Sequence, residues 1–419
     1  MPRKGKDSVV ERVRRFNAGR DPERLALKYR IMRTSAFAFL RGTCHLFYAR
    51  LPEVPLFRAA PLTWICGDLH LENFGSYKGD NRLVYFDLND FDESVLAPCT
   101  WDLVRVVTSI LVGGESIGLD ASQERALARR FLDAYVTAIE DGKARWVERE
   151  TAQGLVRRLL ERARLRKRKA FLDGRTVLVR GRRKIRAEGK RALPVTEKQR
   201  TTIKRFMREF ARHQPNPKFY RLLDVARRIA GTGSLGVERY VLLVEGKGSP
   251  NGNYLLDLKQ ALPSSLAPFL RWKQPKWQNE AQRVATLQRR AQAVPMAFLH
   301  PVVIEGTAYV LRGLQPVEDR VALNKWRGDL ALVELTLAAM AQSTAWSELR
   351  SSGRQGSAIV DELIEYWGKR SRRGKLLEMA VQCKRQTERD WKEYCKAFDR
   401  GAFPEASQAG KTHKRSRSG

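Results

Sequence analysis

Between Thr63 and Ser109 the chain gathers the residue types that magnesium and phosphate chemistry require. A tight loop reads Cys66-Gly67-Asp68-Leu69-His70-Leu71-Glu72-Asn73-Phe74-Gly75. After the apolar run Leu83-Val84-Tyr85-Phe86 comes an acidic turn, Asp87-Leu88-Asn89-Asp90-Phe91-Asp92-Glu93. Carboxylates on loops just past strands are costly unless they meet a cation or water. An Asp, an Asn five positions later and a second group of Asp residues at the ends of adjacent strands suit Mg²⁺. That hard ion takes carboxylate and amide oxygens and leaves room for phosphate oxygens. Any one of these residues alone reads as part of a solvated acidic turn; the constellation does not.

A second set of residues lies far downstream. Gly231-x-Gly233-x-x-Gly236 has a spacing that arises by chance in many chains, and in a dinucleotide-binding fold it would open a helix. Here the residues that follow, Val237 to Val244, are β-branched and aromatic-rich and predict a strand. A glycine turn between strands, with a Lys near the end of the next strand, is how kinases cover nucleotide phosphates. Lys259 stands where that logic wants it, Ser234 lies inside the turn, and Glu280 on the next predicted helix is the expected partner of Lys259. The bland alternative for Lys259 is an edge-strand side chain whose stem covers apolar surface.

The elements that must position these residues follow from periodicity. Helical spacing runs from Pro22 to Arg50, from Trp101 to Val112, over 121–140 and 142–170, and over 196–212. A small hairpin is expected around Gly181, between Thr176–Val179 and Lys184–Arg186. Strands are expected over 237–245 and 254–259, a helix over 276–292, and strands over 302–304 and 308–311; from Lys325 the chain reads as helical again. The implied division is a basic, disordered segment 1–21, the first part of a large helical lobe with both acidic loops over 22–215, and a small β-rich lobe over 216–322. The second part of the helical lobe follows over 323–400, then a basic disordered tail over 401–419.

At 419 residues the chain can bury a substantial core in two or three domains or lobes. Its 79 Lys+Arg against 46 Asp+Glu give a formal charge of +33, a surface that attracts polyanions, including nucleotides, nucleic acid and anionic membranes. The run Arg157 to Lys169 is strongly basic but lacks the interleaved aromatics of single-strand binders, so a solvated face is its first reading. The five cysteines are scattered without paired metal-ligand spacing, which fits a reduced, cytoplasmic compartment. No apolar run approaches the ~20 residues of a membrane helix, and no apolar stretch follows the basic N-terminus as in a secretory signal.

Gly67-Asp68-x-His70-x-x-Asn73 resembles the catalytic loop of the aminoglycoside and choline kinases, members of the protein-kinase-like superfamily. Asn89-Asp90-Phe91-Asp92 resembles their second metal site, and Trp101-Asp102-Leu103 the structural Asp that follows it. More closely, residues 22–395 resemble a bacterial family of uncharacterised proteins, a domain of unknown function grouped with the kinase-like fold. Its marks stand here as Phe37-Ala38-Phe39-Leu40-Arg41-Gly42, the two acidic motifs, Gly231-Thr232-Gly233-Ser234-Leu235-Gly236, Gln282-Arg283-Val284 and Gln386-Thr387-Glu388-Arg389-Asp390. The resemblance implies an α+β, two-lobed kinase-like fold. Because the nucleotide-cradling module follows the catalytic loop instead of preceding it, the fold would be circularly permuted.

The activity so implied is Mg-ATP-dependent phosphoryl transfer to an unidentified hydroxyl-bearing acceptor. Asp68 would orient or deprotonate the acceptor, with His70 bracing the loop or moving a proton. Asn73 and Asp90 would hold Mg²⁺, with Asp92 as a further ligand and Asp87 as the rival of Asp90. Asp102 would tie the loop to its helix. Lys259, fixed by Glu280, would bind phosphate oxygens under the backbone of Gly231–Gly236. Three alternatives stand beside it: a nucleotide-binding pseudokinase scaffold, an AMP-transferase on the same fold, and a basic nucleic-acid-binding protein. Polyanion or nucleic-acid contact through the basic surface is also expected.

Overall fold

A computed structural model of the chain describes residues 8–189 and 191–403. It is a mixed α and β structure with several separate sheets. The larger core is helical. Helices Thr100–Gly113, Ala121–Glu140, Leu330–Ser351 and Ser371–Asp399 bury Leu103, Val106, Val107, Phe131, Tyr135, Leu337, Met340 and Leu376 against one another. Thr100–Gly113 is buried along its whole length and largely apolar, and its buried Asp102, Arg105, Thr108 and Ser109 find hydrogen-bond partners. Two small sheets lie beside it: Leu62–Ile65 pairs with Val95–Pro98, and Phe74–Lys78 pairs with Val84–Leu88, which also pairs with Val147–Glu148. These place the Asp68 loop and the acidic turn at neighbouring strand ends.

The second layer is a six-stranded antiparallel sheet in the order His300–Ile304, Thr307–Gly313, Tyr254–Gln260, Arg239–Val244, Leu222–Arg228 and Ala192–Leu193. Side chains alternate between its faces. Val225, Tyr240, Leu242, Leu256, Leu258 and Leu311 pack on Ile203 and Met207 of helix Glu197–Arg212. The other face carries Ala226, Val241, Leu243 and Leu255 at one end. At the end nearer the glycine turn it carries Arg228, Arg239, Asp257, Lys259 and Arg312. Those charges face the acidic turn, not solvent.

Several expectations need correcting. Helical spacing over 22–50 becomes three helices, Pro22–Arg33, Ala36–Gly42 and Cys44–Arg50, because Ser35 caps a new start by accepting from Ala38 N–H. The helix expected over 142–170 is broken into Val147–Glu148, Gly154–Leu165 and Arg168–Asp173, with Gly142 and Gly154 at φ +64° and +53°. Disorder over 1–21 does not extend to Val9–Phe16, a helix with a Ser8/Glu11 capping box whose Val9 and Val13 are buried beside Tyr29, Met32, Tyr394 and Phe403. Residues 1–7 and 404–419 lie outside the described residues. The hairpin around Gly181 forms, from Thr176–Val179 and Arg182–Ile185.

Arg166 of the basic run and several arginines that follow it are paired. Arg166 meets Asp319 at 2.6 Å, Arg175 and Arg191 both meet Glu318 at 2.9 Å, and Arg183 meets Asp173 at 2.8 Å. Among the described residues no helix is long and apolar enough to cross a membrane.

Candidate functional site

The Asp68 loop is set by its surroundings before any ligand arrives. Gly67 has φ +81°, and a Cβ there would lie 2.4 Å from the Glu93 carbonyl oxygen, so only glycine fits. Asp102, in the first turn of Thr100–Gly113, accepts from the backbone N–H groups of Cys66 (2.6 Å) and Gly67 (2.8 Å). Burial still pushes its carboxyl up to about 7. Arg105, on the same helix, donates to Asp68 through Nε at 2.9 Å and through Nη2, and Nη2 also donates to the Leu40 carbonyl at 3.0 Å. The Arg105 guanidinium lies 4.8 Å over the Phe47 ring. Desolvation raises the Asp68 carboxyl above its ordinary value, and Arg105 opposes that rise. Asn73 donates its amide N–H to the Asp68 carbonyl at 2.5 Å, which leaves its amide oxygen for another partner.

His70 takes the bracing role. Its Nδ1 accepts from Glu72 N–H at 3.1 Å, capping the turn Leu71–Asn73, and its ring meets the edge of Phe37. Burial, with Arg41, Arg105 and Arg320 nearby, depresses its pKa well below that of a free histidine. The ring is neutral and enclosed, a poor position for moving a substrate proton.

The acidic turn splits into two groups. Asp87 faces inward: its Oδ2 meets Arg350 Nη1 and accepts from Ala293 N–H, both at 3.2 Å, while Oδ1 accepts from Leu88 N–H at 2.9 Å. It is therefore occupied as a structural carboxylate and is not brought to the other candidate ligands. Asp90 and Asp92 face the six-stranded sheet instead. Lys259 Nζ pairs with Asp92 and lies 3.7 Å from Asp90 Oδ1. Burial would raise the Asp90 carboxyl, but Lys259, Arg312 and Arg239 outweigh it and hold it below the usual value. Asp90 Oδ1 and Asn89 Oδ1 are buried without a hydrogen-bond partner among the described residues. Orphaned acceptors of this kind fit a cation.

The glycine turn joins two antiparallel strands, as expected, and it reaches the Asp68 loop. A Cβ on Gly233 would lie 3.1 Å from the Arg41 carbonyl oxygen and 3.7 Å from Asp68 Oδ2. Gly231 and Gly236 have φ of +76° and +87°. The outer side of the turn is clamped by the N-terminal helices. Arg20 Nη1 (2.8 Å) and Lys28 Nζ (3.0 Å) both donate to the Gly233 carbonyl, and Asp21 N–H donates to that of Gly236 at 2.9 Å. Ser234 lines the cleft below.

Glu280 is not brought to Lys259. It pairs with Arg283 on its own helix at 2.6 Å, and Arg283 donates onward to the carbonyls of Ser94 (2.6 Å), Asp92 (2.8 Å) and Leu262 (3.0 Å). The helix thus holds the Asp92 backbone, and Asp92 meets Lys259. Sequence reasoning also missed Arg105, whose signal was a lone basic residue within an apolar helix. It missed Arg20 and Lys28, which had no signal beyond a basic N-terminus, and the arginines around Asp257, which only strand register brings together.

The cleft is lined by Phe16, Arg20, Asp68, Asp90, Asp92 and Ser234, and measures about 60 Å³. Pockets for nucleotide-sized ligands measure several hundred Å³. Among the described residues no three His, Cys, Asp or Glu side chains converge as a metal cage.

A family model described as "Uncharacterized protein conserved in bacteria (DUF2252)" matches residues 20–397. No curated protein and no solved structure matches the chain.

Proposed function

The chain belongs to the family of uncharacterized proteins conserved in bacteria, DUF2252, and from the chemistry of its cleft we propose that it is an Mg²⁺- and ATP-dependent phosphotransferase acting on a hydroxyl acceptor. In this reading the fold is kinase-like and circularly permuted, with the nucleotide-cradling sheet following the catalytic loop in sequence. One observation carries the reading. The glycine hairpin and Lys259, far downstream in the chain, converge on Asp68, Asp90 and Asp92, with Asn73 held to the Asp68 backbone; phosphoryl transfer uses such groups for positioning and charge neutralisation.

Asp68 orients the acceptor hydroxyl and takes its proton, while Arg105 fixes the carboxylate. Lys259 leaves Asp92 and binds phosphate oxygens, and backbone N–H groups of the glycine turn cover them. Asp90, Asp92 and the Asn73 amide are the residues that would hold magnesium, which when bound neutralises charge between phosphates. The test is calorimetric titration of ATP with and without Mg²⁺ into wild type, Asp90→Ala and Lys259→Ala. Mg²⁺-dependent binding that weakens in both variants supports the reading; a folded wild type that binds no ATP overturns it.

A nucleotide-binding scaffold is the second reading. It is favoured by the engagement of Glu280 with Arg283 and of Asp68 with Arg105, which leaves both expected catalytic partnerships altered. Release of ADP or AMP over hours with an acceptor mixture decides against the scaffold; tight ATP binding without turnover decides for it.

A further inference from the structure

Beyond Lys259, the same face of the sheet continues as a patch of buried positive charge. Asp257 is fully buried on the Lys259 strand, two residues away and on the same side. Its Oδ1 is 2.8 Å from both Arg239 Nε and Arg228 Nη1, and its Oδ2 is 2.6 Å from Arg239 Nη2 and 3.5 Å from Arg312 Nε. The three guanidinia come from three different strands, and the residues Arg228, Arg239 and Arg312 are 8%, 6% and 7% exposed. Arg239 is the register partner of Lys259, and its Nη1 donates to the Ala230 carbonyl (3.3 Å) at the base of the glycine turn. The patch is therefore continuous with the cleft.

One carboxylate does not balance this group. Each guanidinium carries five N–H donors, roughly fifteen in all. The other acceptors that the guanidinia reach are the carbonyls of Ala230, Gln315 (2.5 Å from Arg228) and Asn89 (3.3 Å from Arg312). Burial and the neighbouring Arg239 push the Arg228 guanidinium down to about 10, even with Asp257 beside it. The remaining counter-charge comes from Asp90 and Asp92 across the cleft. Once those carboxylates are committed to a divalent cation, the sheet face is left with Arg228, Arg239, Lys259 and Arg312 against Asp257 alone. Buried charge in such excess demands an anion, and forked guanidinium donors match phosphate oxygens.

We infer that Arg228, Arg239 and Arg312 around Asp257 form a phosphate-binding subsite that takes the polyphosphate chain of the nucleotide beyond Lys259. The subsite rests on the reading of the cleft as a nucleotide site, but inorganic tripolyphosphate probes it separately. The experiment titrates tripolyphosphate, ATP and AMP into the full chain and into Arg312→Gln, Arg228→Gln and the exposed control Arg182→Gln, with folding checked by thermal melts. Arg312, the most loosely held of the three, carries the test if Arg228→Gln fails to fold.

The expected result is tripolyphosphate and ATP binding weakened about tenfold or more in the cluster variants, with AMP changed less than about threefold and Arg182→Gln unchanged. ATP binding by wild type that is equally strong in Arg312→Gln overturns the subsite and leaves the nucleotide reading intact. Tripolyphosphate binding that falls equally in Arg182→Gln assigns it to the general basic surface and also overturns the subsite. Tripolyphosphate binding that depends on Arg312 without ATP binding supports the subsite and overturns the nucleotide reading. A folded wild type that binds neither overturns both.

Discussion

Lys259, on an interior strand of the six-stranded sheet, pairs with Asp92 of the acidic turn, while Glu280 on the following helix is held by Arg283. The pair crosses the cleft from one layer to the other. It keeps the buried ammonium of Lys259 neutralised.

This relationship separates two variants that simple kinase logic treats alike. Lys259→Met is expected to weaken Mg-ATP binding about tenfold or more through loss of a charged donor. Glu280→Gln is expected to change it less than about threefold, because its partner is Arg283 and both lie outside the phosphate path. Calorimetry on both variants checks the contrast. Equal losses would mean that Glu280 moves to Lys259 on binding.

Arg105 and Asp68 form a buried pair in which the arginine also satisfies the Leu40 carbonyl. Arg105→Met leaves the carboxylate without its counter-charge and should cost about 3–5 kcal/mol of folding stability. Asp68→Asn keeps an acceptor against Arg105 and should cost less, while lowering transfer activity about 10²- to 10⁴-fold. Urea unfolding and turnover measured on both variants distinguish the positioning residue from the catalytic one.

Gly236→Ala should do more damage than Gly306→Ala. Both glycines have positive φ, +87° and +79°, which costs an alanine roughly 1–2 kcal/mol. A Cβ at Gly236 would also lie 2.8 Å from Arg20 Cβ, whereas at Gly306 nothing lies within 4 Å. Gly236→Ala is expected to loosen the clamp between the N-terminal helices and the glycine turn, seen as faster amide exchange over 230–237. Gly306→Ala should lower stability without that local signal.

Mild acid should remove stability through His45, against an opposing gain from Asp102, whose carboxyl is pushed up to about 7. His45 stacks on Phe16 at 3.8 Å with both ring nitrogens buried. Burial, with Lys28, Arg20 and Arg105 nearby, depresses its pKa well below 6.5. The unfolded chain takes up that proton near pH 6.5 and the folded chain does not. The stability from neutral His45 is therefore complete above pH 6.5 and is lost as pH falls below it, by about 1.4 kcal/mol per pH unit. His45→Phe keeps the stacking and should flatten the stability profile between pH 6.5 and 5, measured by urea unfolding. An unchanged slope would assign the acid sensitivity elsewhere, with buried His70 the next candidate.

Much of the candidate site was legible in the order of residues. Asp68, Asn73, Asp90 and the glycine turn could be found because each lies within a short segment whose spacing carries chemistry. The turn could be placed between strands because Val237 to Val244 is β-branched and aromatic-rich. The hairpin at Gly181 and the helix from Trp101 were readable for the same local reason. Residues 9–16 were not, since two apolar residues in a basic run signal little until Tyr29, Met32 and Tyr394 supply the surface that buries them.

By itself, then, the sequence determined which segments carry carboxylates, amides, glycines and lysine, and the alternation that puts Asp257 and Lys259 on one strand face. Local backbone preference and side-chain period suffice for that. Only the tertiary structure decided who meets whom. It turned Asp87 toward Arg350 and Asp92 toward Lys259, gave Glu280 to Arg283, and set Arg105 behind Asp68. Pairings between charges distant in the chain depend on which strands lie side by side and how deeply each group is buried, and both are properties of the packed layers, not of any one segment.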